Sequence, residues 1–187
     1  MQAQLRTRRL VLAPLAESDL PFIADLNADP EVVRFLYPRP LTPEESAARL
    51  RGWLDEAADG LGMWVGWAAD EPVGLWMLMA PDGPRHEDAI GEAELGYRLP
   101  RRSWRQGYAT EGSRELLRHA FVDLGLRRVY AETMAVNEGS RATMAAAGLA
   151  YVTTFQPDFV EPLPGAEHGE VEYAVTAQEW RRRVGIR

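Results

Sequence analysis

Residues 96–111 read Gly96-Tyr97-Arg98-Leu99-Pro100-Arg101-Arg102-Ser103-Trp104-Arg105-Gln106-Gly107-Tyr108-Ala109-Thr110-Glu111, and the organisation of the whole chain turns on this junction. Upstream, Ile90 to Leu99 has the alternation of a strand. Downstream, Gly107 to Leu124 places Leu116, Leu117, Ala120, Phe121 and Leu124 on one helical face. A helix beginning near Gly107 leaves its first N–H groups without intrahelical partners, and its aligned peptide dipoles add partial positive charge there. Gly107 and Ala109 are small where bulk would keep an anion off the backbone, and Arg101, Arg102 and Arg105 stand just upstream. These residues fit a phosphate site or, equally, a capped helix with surface arginines. Two better-known phosphate loops are absent: the glycines do not follow G-x-G-x-x-G, and no lysine completes G-x-x-x-x-G-K-[ST]. There is no G-x-S-x-G nucleophile elbow either.

Working outward, Arg8 to Pro14 alternates as a strand, Ser18 is a candidate N-cap for a helix carrying Phe22, Ile23 and Leu26, and a short helix follows Asp29-Pro30 through Val32, Val33, Phe35 and Leu36. Thr42-Pro43-Glu44-Glu45 predicts a strong helix start, with the helix running to about Ala58. Met63 to Ala68 and Val73 to Met79 read as a hairpin across Ala69-Asp70-Glu71-Pro72, and Pro81 to Asp88 as a polar loop. After the long helix, Gly125 stands where a left-handed cap belongs. Arg128 to Val136 reads as a strand and Glu138 to Ala147 as a helix stopped by Gly148. Ala150 to Phe155 and Val171 to Thr176 are further strands, and Ala177 to about Arg183 is a closing helix. No internal repeat or linker interrupts this order, so residues 1–187 are expected to form a single α+β domain.

Composition removes several functions. The chain has no Cys, which excludes a thiol nucleophile, disulfides and cysteine-ligated metal. All of its basic residues are arginine, so lysine Schiff-base chemistry is excluded too. His86, His119 and His168 are not at metal-ligand spacing, and no metal is expected. A net charge of −7 argues against nucleic-acid binding. No apolar run approaches a membrane span and no secretory signal opens the chain, so a cytoplasmic protein is expected.

Three blocks in order resemble the GCN5-related N-acetyltransferases (GNAT), and within them the branch resembling RimJ and RimL. The first is Thr7, Arg9, Leu10, Leu12, Pro14 and Leu15, followed by Asp19. The second is Glu94, Gly96, Tyr97, Leu99, Trp104, Gly107, Tyr108, Ala109, Thr110 and Glu111. The third is Asn137-Glu138-Gly139-Ser140 with Gly148, where Leu149 replaces the usual aromatic. The resemblance covers almost the whole chain. It implies a mixed, mostly antiparallel sheet of about seven strands with helices on both faces. Two central parallel strands would splay to form a cleft for acetyl-CoA as co-substrate.

It also implies roles. The backbone N–H groups of Arg105, Gln106, Gly107, Tyr108, Ala109 and Thr110 would hold the pyrophosphate, and the strand end at Arg98 and Leu99 would pair with the pantetheine arm. Asn137 would hydrogen-bond the pantetheine, and Ser140 would lie near the thioester sulfur. Trp104 departs from the general Q/R-x-x-G-x-G/A motif but suits this branch. Met144 stands where many relatives carry a tyrosine that can protonate the leaving thiolate.

A primary amine must lose its proton before attack, and a carboxylate acting through water is the economical base. Glu92 and Glu94 share one strand face; Glu94, at the "E-x-G-Y" position, is the preferred base. Phe35, Tyr37, Trp64, Trp67 and Trp76 are read first as packing and second as lining of an amine cleft. His119 is expected at the core edge or in solvent, and Arg181-Arg182-Arg183 as a solvated helix end. The expected function is acetyl transfer from acetyl-CoA to a protein N-terminal or small-molecule amine. The alternative is a non-catalytic acyl-CoA sensor on the same fold. The acceptor and the oligomeric state are left open, a homodimer included.

Overall fold

The computed structural model describes residues 2–81, 85–86, 89–157 and 163–185. Eight strands form one sheet in the order β1-β2-β3-β4-β5-β6-β8-β7. They are β1 (Leu5–Arg6), β2 (Val11–Pro14), β3 (Gly62–Ala68), β4 (Glu71–Met79), β5 (Glu92–Arg98), β6 (Arg128–Met134), β7 (Ala150–Phe155) and β8 (Glu170–Thr176). The predicted first strand is instead a hairpin: Thr7 N–H donates to Leu10 O, and residues 7–10 turn between two short strands. This accounts for eight strands where the pattern gives seven. The β3–β4 turn is also tighter than predicted, with Ala68 facing Glu71.

The helices are α1 (Leu20–Ala28), α2 (Pro30–Val33), α3 (Pro43–Glu56), α4 (Tyr108–Arg118), α5 (Glu138–Ala147) and α6 (Ala177–Val184). Thr42 caps α3 as predicted, and the structure adds that Glu45 returns a bond to the Thr42 backbone, making the cap reciprocal. Ser18 does not cap α1; a 3₁₀ turn over Glu17–Asp19 precedes it, in which the Asp19 carboxylate accepts from Ala16 N–H. The helix beyond Asp29-Pro30 ends at Val33, and Phe35 and Leu36 lie in turns. The long helix changes character at His119: residues His119–Asp123 form a π-turn, closed by Leu124 N–H donating to His119 O. His119 is buried, contrary to expectation, with its ring between Asp123 and the Gly60 carbonyl and edge-on to Trp64. Among the described residues, no helix is long and apolar enough to cross a membrane.

The two faces of the sheet carry separate cores. Ile23, Leu26 and Leu50 from α1 and α3 pack on Met63, Val65 and Leu75. On the other face Leu116, Leu117, Met144 and Trp180 from α4, α5 and α6 cover Leu12, Ala93, Leu95 and Val129. Trp64 and Trp76 are fully buried in this second core, so they pack and do not line a cleft. The Trp76 ring lies against backbone at Gly74 and Gly112, and its Nε1–H donates to Ala109 O at 3.3 Å, tying β4 to the first turn of α4.

One feature of the register controls the rest. Strand β5 pairs in parallel with β6 only at Glu92↔Arg128, Ala93↔Val129 and Glu94↔Tyr130. Beyond that point Leu95–Arg98 stays with β4 and Ala131–Met134 with β8, so the strands part as a V with its vertex at Glu94 and Tyr130.

A Cβ added at Gly112 would lie 2.5 Å from Trp76 Cε2. Overpacking a filled core costs about 1–3 kcal/mol, against about 1 kcal/mol of helix propensity gained by replacing glycine. At a net cost of about 1 kcal/mol, Gly112→Ala is therefore expected to lower the melting temperature by roughly 2–4 °C, at about 2–4 °C per kcal/mol for a chain of this size. Calorimetry checks this; an unchanged or raised melting temperature would show that Trp76 yields without cost.

Candidate active site

One side of the V is an anion cradle. Helix α4 starts at Tyr108 behind Gly107, which adopts φ +81° at the N-cap. Arg105 is also left-handed, at φ +59°, which turns the loop so that consecutive N–H groups are not drawn into a ladder. The N–H groups of residues 105–110 have no partner among the described residues. A Cβ at Gly107 would stand 3.3 Å from Arg9 Nη2, in a gap otherwise open. Unpaired donors at the positive end of a helix, beside a glycine, fit a phosphorylated ligand.

The predicted arginines contribute unequally. Arg101 is paired with Asp29 at 2.8 Å and Arg102 donates to Pro72 O, whereas Arg105 is exposed and has no partner among the described residues. A cation that motif reading left without a role is Arg9. Its guanidinium donates to Gln106 O at 3.0 Å, lies 4.6 Å from the centre of the Tyr108 ring and pairs with Glu111 at 2.6 Å. Thr7 Oγ1 donates to Glu111 Oε1 at 2.6 Å, and Arg9 N–H donates to the same oxygen at 2.9 Å. The β1–β2 turn is thus strapped to the first turn of α4. The Thr7 and Arg9 of the first block meet the Glu111 of the second through this strap.

Across the V, α5 begins at Asn137. Its side-chain Oδ1 accepts from Ser140 N–H at 3.1 Å while its Nδ2 donates to Thr133 Oγ1 at 3.0 Å. Tyr97 reaches over from β5: its hydroxyl donates to Ser140 O at 2.9 Å and lies 3.1 Å from Ser140 Oγ. Burial pushes the Tyr97 phenol up to about 12, against smaller opposing hydrogen bonds from Ser140 and Thr143, so it keeps its proton. Tyr97 belongs to a quoted motif, but only the fold brings it to Ser140. Met144 is buried in the core and offers no proton. At the end of β5 the Leu99 carbonyl accepts from Trp104 Nε1–H at 2.7 Å, which leaves its second lone pair.

The opposite face of the sheet is acidic. Glu94 stands there at the vertex, with Glu92, Glu132, Glu170 and Glu172 on the same face by register. Arg128 holds Glu92 at 2.7 Å and also pairs with Glu172, whose other oxygen takes Arg85 at 2.6 Å. His86 lies 3.2 Å from Glu132 and stacks on Tyr130 at 3.9 Å. The ligand atoms of His86, Glu132 and Glu172 fall within 4.8 Å of one another, a cluster that spacing along the chain does not announce. Two guanidiniums already serve this cluster. The Glu170 carboxyl is pushed up, by burial first and then by the Glu132 charge, with Arg85 opposing.

The family profile for the "Acetyltransferase (GNAT) domain" matches residues 9–150. FsC-acetyl coenzyme A-N(2)-transacetylase of Aspergillus fumigatus is 42% identical over 187 residues, covering 97% of this chain and 79% of the relative. Two solved structures share the fold. One is RimL, a ribosomal L7/L12 alpha-N-protein acetyltransferase in complex with coenzyme A. It has a TM-score of 0.78 at 19% identity, covering 93% of this chain and 98% of that one. The other is Mycobacterium smegmatis RimJ in complex with CoA-disulfide, with a TM-score of 0.76 at 22% identity, covering 98% and 92%.

Burial raises the Glu111 carboxyl, but hydrogen bonds from Thr7 and Arg9 outweigh it and hold it below the usual 4.5. A depressed carboxyl stabilises the fold above its unfolded value, and that contribution is lost as pH falls through the folded one. The stability difference between wild type and Glu111→Gln is therefore expected to be full near pH 7 and to shrink below about pH 4.5. Urea unfolding at pH 7 and pH 3.5 measures it; a difference that is the same at both would remove the strap's ionic part.

Proposed function

The chain belongs to the GNAT family of acetyl-CoA-dependent acyltransferases, and from that premise we propose that it acetylates a primary amine in the cytoplasm, by direct attack of the amine nitrogen on the thioester in a ternary complex. The observation that carries this reading is the V itself. Unpaired loop donors lie beyond one arm, Ser140 stands on the other, and a carboxylate marks the vertex on the acidic face. The named activity of the 42% identical relative, acetyl transfer to a nitrogen designated N(2), supports nitrogen as the acceptor atom.

In this reading the N–H groups of Arg105 to Thr110 take the pyrophosphate. The edge of β5 at Arg98 and Leu99, left without a strand partner on that side, pairs with the pantetheine amides. The second N–H of the Asn137 amide is available to the same arm. The acceptor arrives as an ammonium with an ordinary pKa near ~10.4 and must give up a proton before its lone pair can attack. Glu94 takes that proton through water. Its neighbour Glu92 is paired with Arg128. As the N–C bond forms the C–S bond breaks, and the thiolate leaves toward the Ser140 hydroxyl. Tyr97, protonated and bonded to both Ser140 oxygens, fixes that residue's position.

The experiment is release of free thiol from acetyl-CoA with a panel of primary amines. Turnover is expected, with kcat/KM reduced about 10²-fold or more in Glu94→Gln, within the range typical of general bases. Ser140→Ala is expected to lower kcat more than it raises KM. Tight coenzyme binding with no thiol release for any amine would favour the sensor reading, and full activity in Glu94→Gln would dismiss Glu94 as base.

A further inference from the structure

Arg98 raises a question that cofactor binding does not answer. Its backbone lies on the V, but its side chain points to the opposite face of the sheet, toward α1 and the turn after α2. There one Nη donates to Asn27 Oδ1 and the other lies 3.4 Å from Tyr37 Oη. The Asn27 amide cannot turn away. It is fully buried, and its Nδ2 donates to Ser46 Oγ at 3.2 Å, which fixes its oxygen toward Arg98. Both partners are uncharged. Arg98 Nε is buried with no hydrogen-bond partner, and no carboxylate pairs with this guanidinium among the described residues. By contrast Arg118 is matched by Glu115 and Asp123, and Arg128 by Glu92 and Glu172.

A second cation converges on the same spot. The Arg49 guanidinium carbon lies 5.2 Å from the centre of the Tyr37 ring, and that of Arg98 lies 5.3 Å from it. Arg49 is exposed on α3 and likewise has no ion-pair partner among the described residues. In a chain of net charge −7, two guanidiniums around one tyrosine, with no counter-ion among the described residues, form a local reversal of sign. A part-buried guanidinium is costly without a charged partner, and its planar fork matches a carboxylate bidentately.

We propose that Arg98, Arg49 and Tyr37 form a carboxylate-binding subsite on the acceptor face, so that the preferred acceptors are amines that also carry a carboxylate. This deepens the acetyl-transfer reading and rests on it. On that face Glu94, Gly96 and Arg98 succeed one another by the strand period of two, and the Met77 side chain lies over Gly96, an apolar floor between the charged ends. The acidic vertex receives the amine, and the guanidinium end receives the acid. Glu94 and Arg98 are four residues apart on one strand, about 13 Å between Cα atoms. That span suits a chain of several carbons between the two groups.

The test measures kcat/KM by thiol release for glycine, 4-aminobutanoate and 6-aminohexanoate, each against its methyl ester, which lacks the carboxylate charge. At least one of the longer acids is expected to exceed its ester ten-fold or more, and Arg98→Gln and Arg49→Gln are each expected to bring that ratio toward one. Arg49 is exposed, so its variant keeps the test valid if Arg98→Gln does not fold. Calorimetric binding of the same pairs to the CoA-loaded protein supplies a readout without turnover. Ratios near one in the wild type, undetectable binding of every acid, or a preference unchanged in both variants would overturn the subsite. Esters turned over as well as acids would leave acetyl transfer standing without this subsite. Acid-selective binding with no turnover of any amine would leave the subsite standing without acetyl transfer.

Discussion

The parting of β5 from β6 after Glu94 and Tyr130 is the constraint on which the rest of the structure depends. Parallel strands that separate leave N–H and C=O groups on the facing edges without ladder partners, and buried backbone groups of that kind must be satisfied somehow. An extended molecule with its own amides can complete the edge of β5, which is why a pantetheine arm suits this place. The same divergence lets Tyr97 span from β5 to the start of α5, where its hydroxyl meets both Ser140 oxygens.

A V is useful only if its rim is held still. Trp76 ties the first turn of α4 to β4 from within the core, and Thr7, Arg9 and Glu111 tie it to the β1–β2 turn from outside. Between these two ties the loop at 105–107 holds two left-handed residues and a run of unpaired N–H groups. Backbone strain and unsatisfied donors persist when the surroundings over-determine them. Here the surroundings are a buried indole on one side and a charge-assisted strap on the other.

Charge is divided along the same lines. The face of β5, β6 and β8 opposite Ser140 gathers five glutamates, and Arg85 and Arg128 neutralise part of them. Arg9 and Arg105 stand at the start of α4 instead, while Arg49 and Arg98 meet around Tyr37. An acidic protein can therefore present a positive rim to a phosphorylated co-substrate and a mostly negative floor to an amine.

Much of this was legible in the residues in order. Strand alternation, the Thr42–Glu45 cap, Gly125 and Gly148 as helix stops and the glycine-led start of α4 are local properties, because they depend on backbone dihedrals and side chains a few positions apart. The anion loop was legible for the same reason: free N–H groups at a helix start are a local fact. The first hairpin was not, because a two-residue strand owes its existence to its partner and to burial of Leu5, not to its own pattern. His119 looked like an edge residue until the π-turn rotated it onto Trp64 and the Gly60 carbonyl. The sequence by itself determined an α+β chain with a phosphate-ready helix start and glutamates alternating on a central strand. Only the tertiary structure decided that Arg9 straps the loop, that Tyr97 meets Ser140, that Glu92 is spent on Arg128, and that Arg98 meets no carboxylate among the described residues. Such pairings join residues 36 to 102 positions apart, and which partners meet across such separations is set by strand register and helix packing.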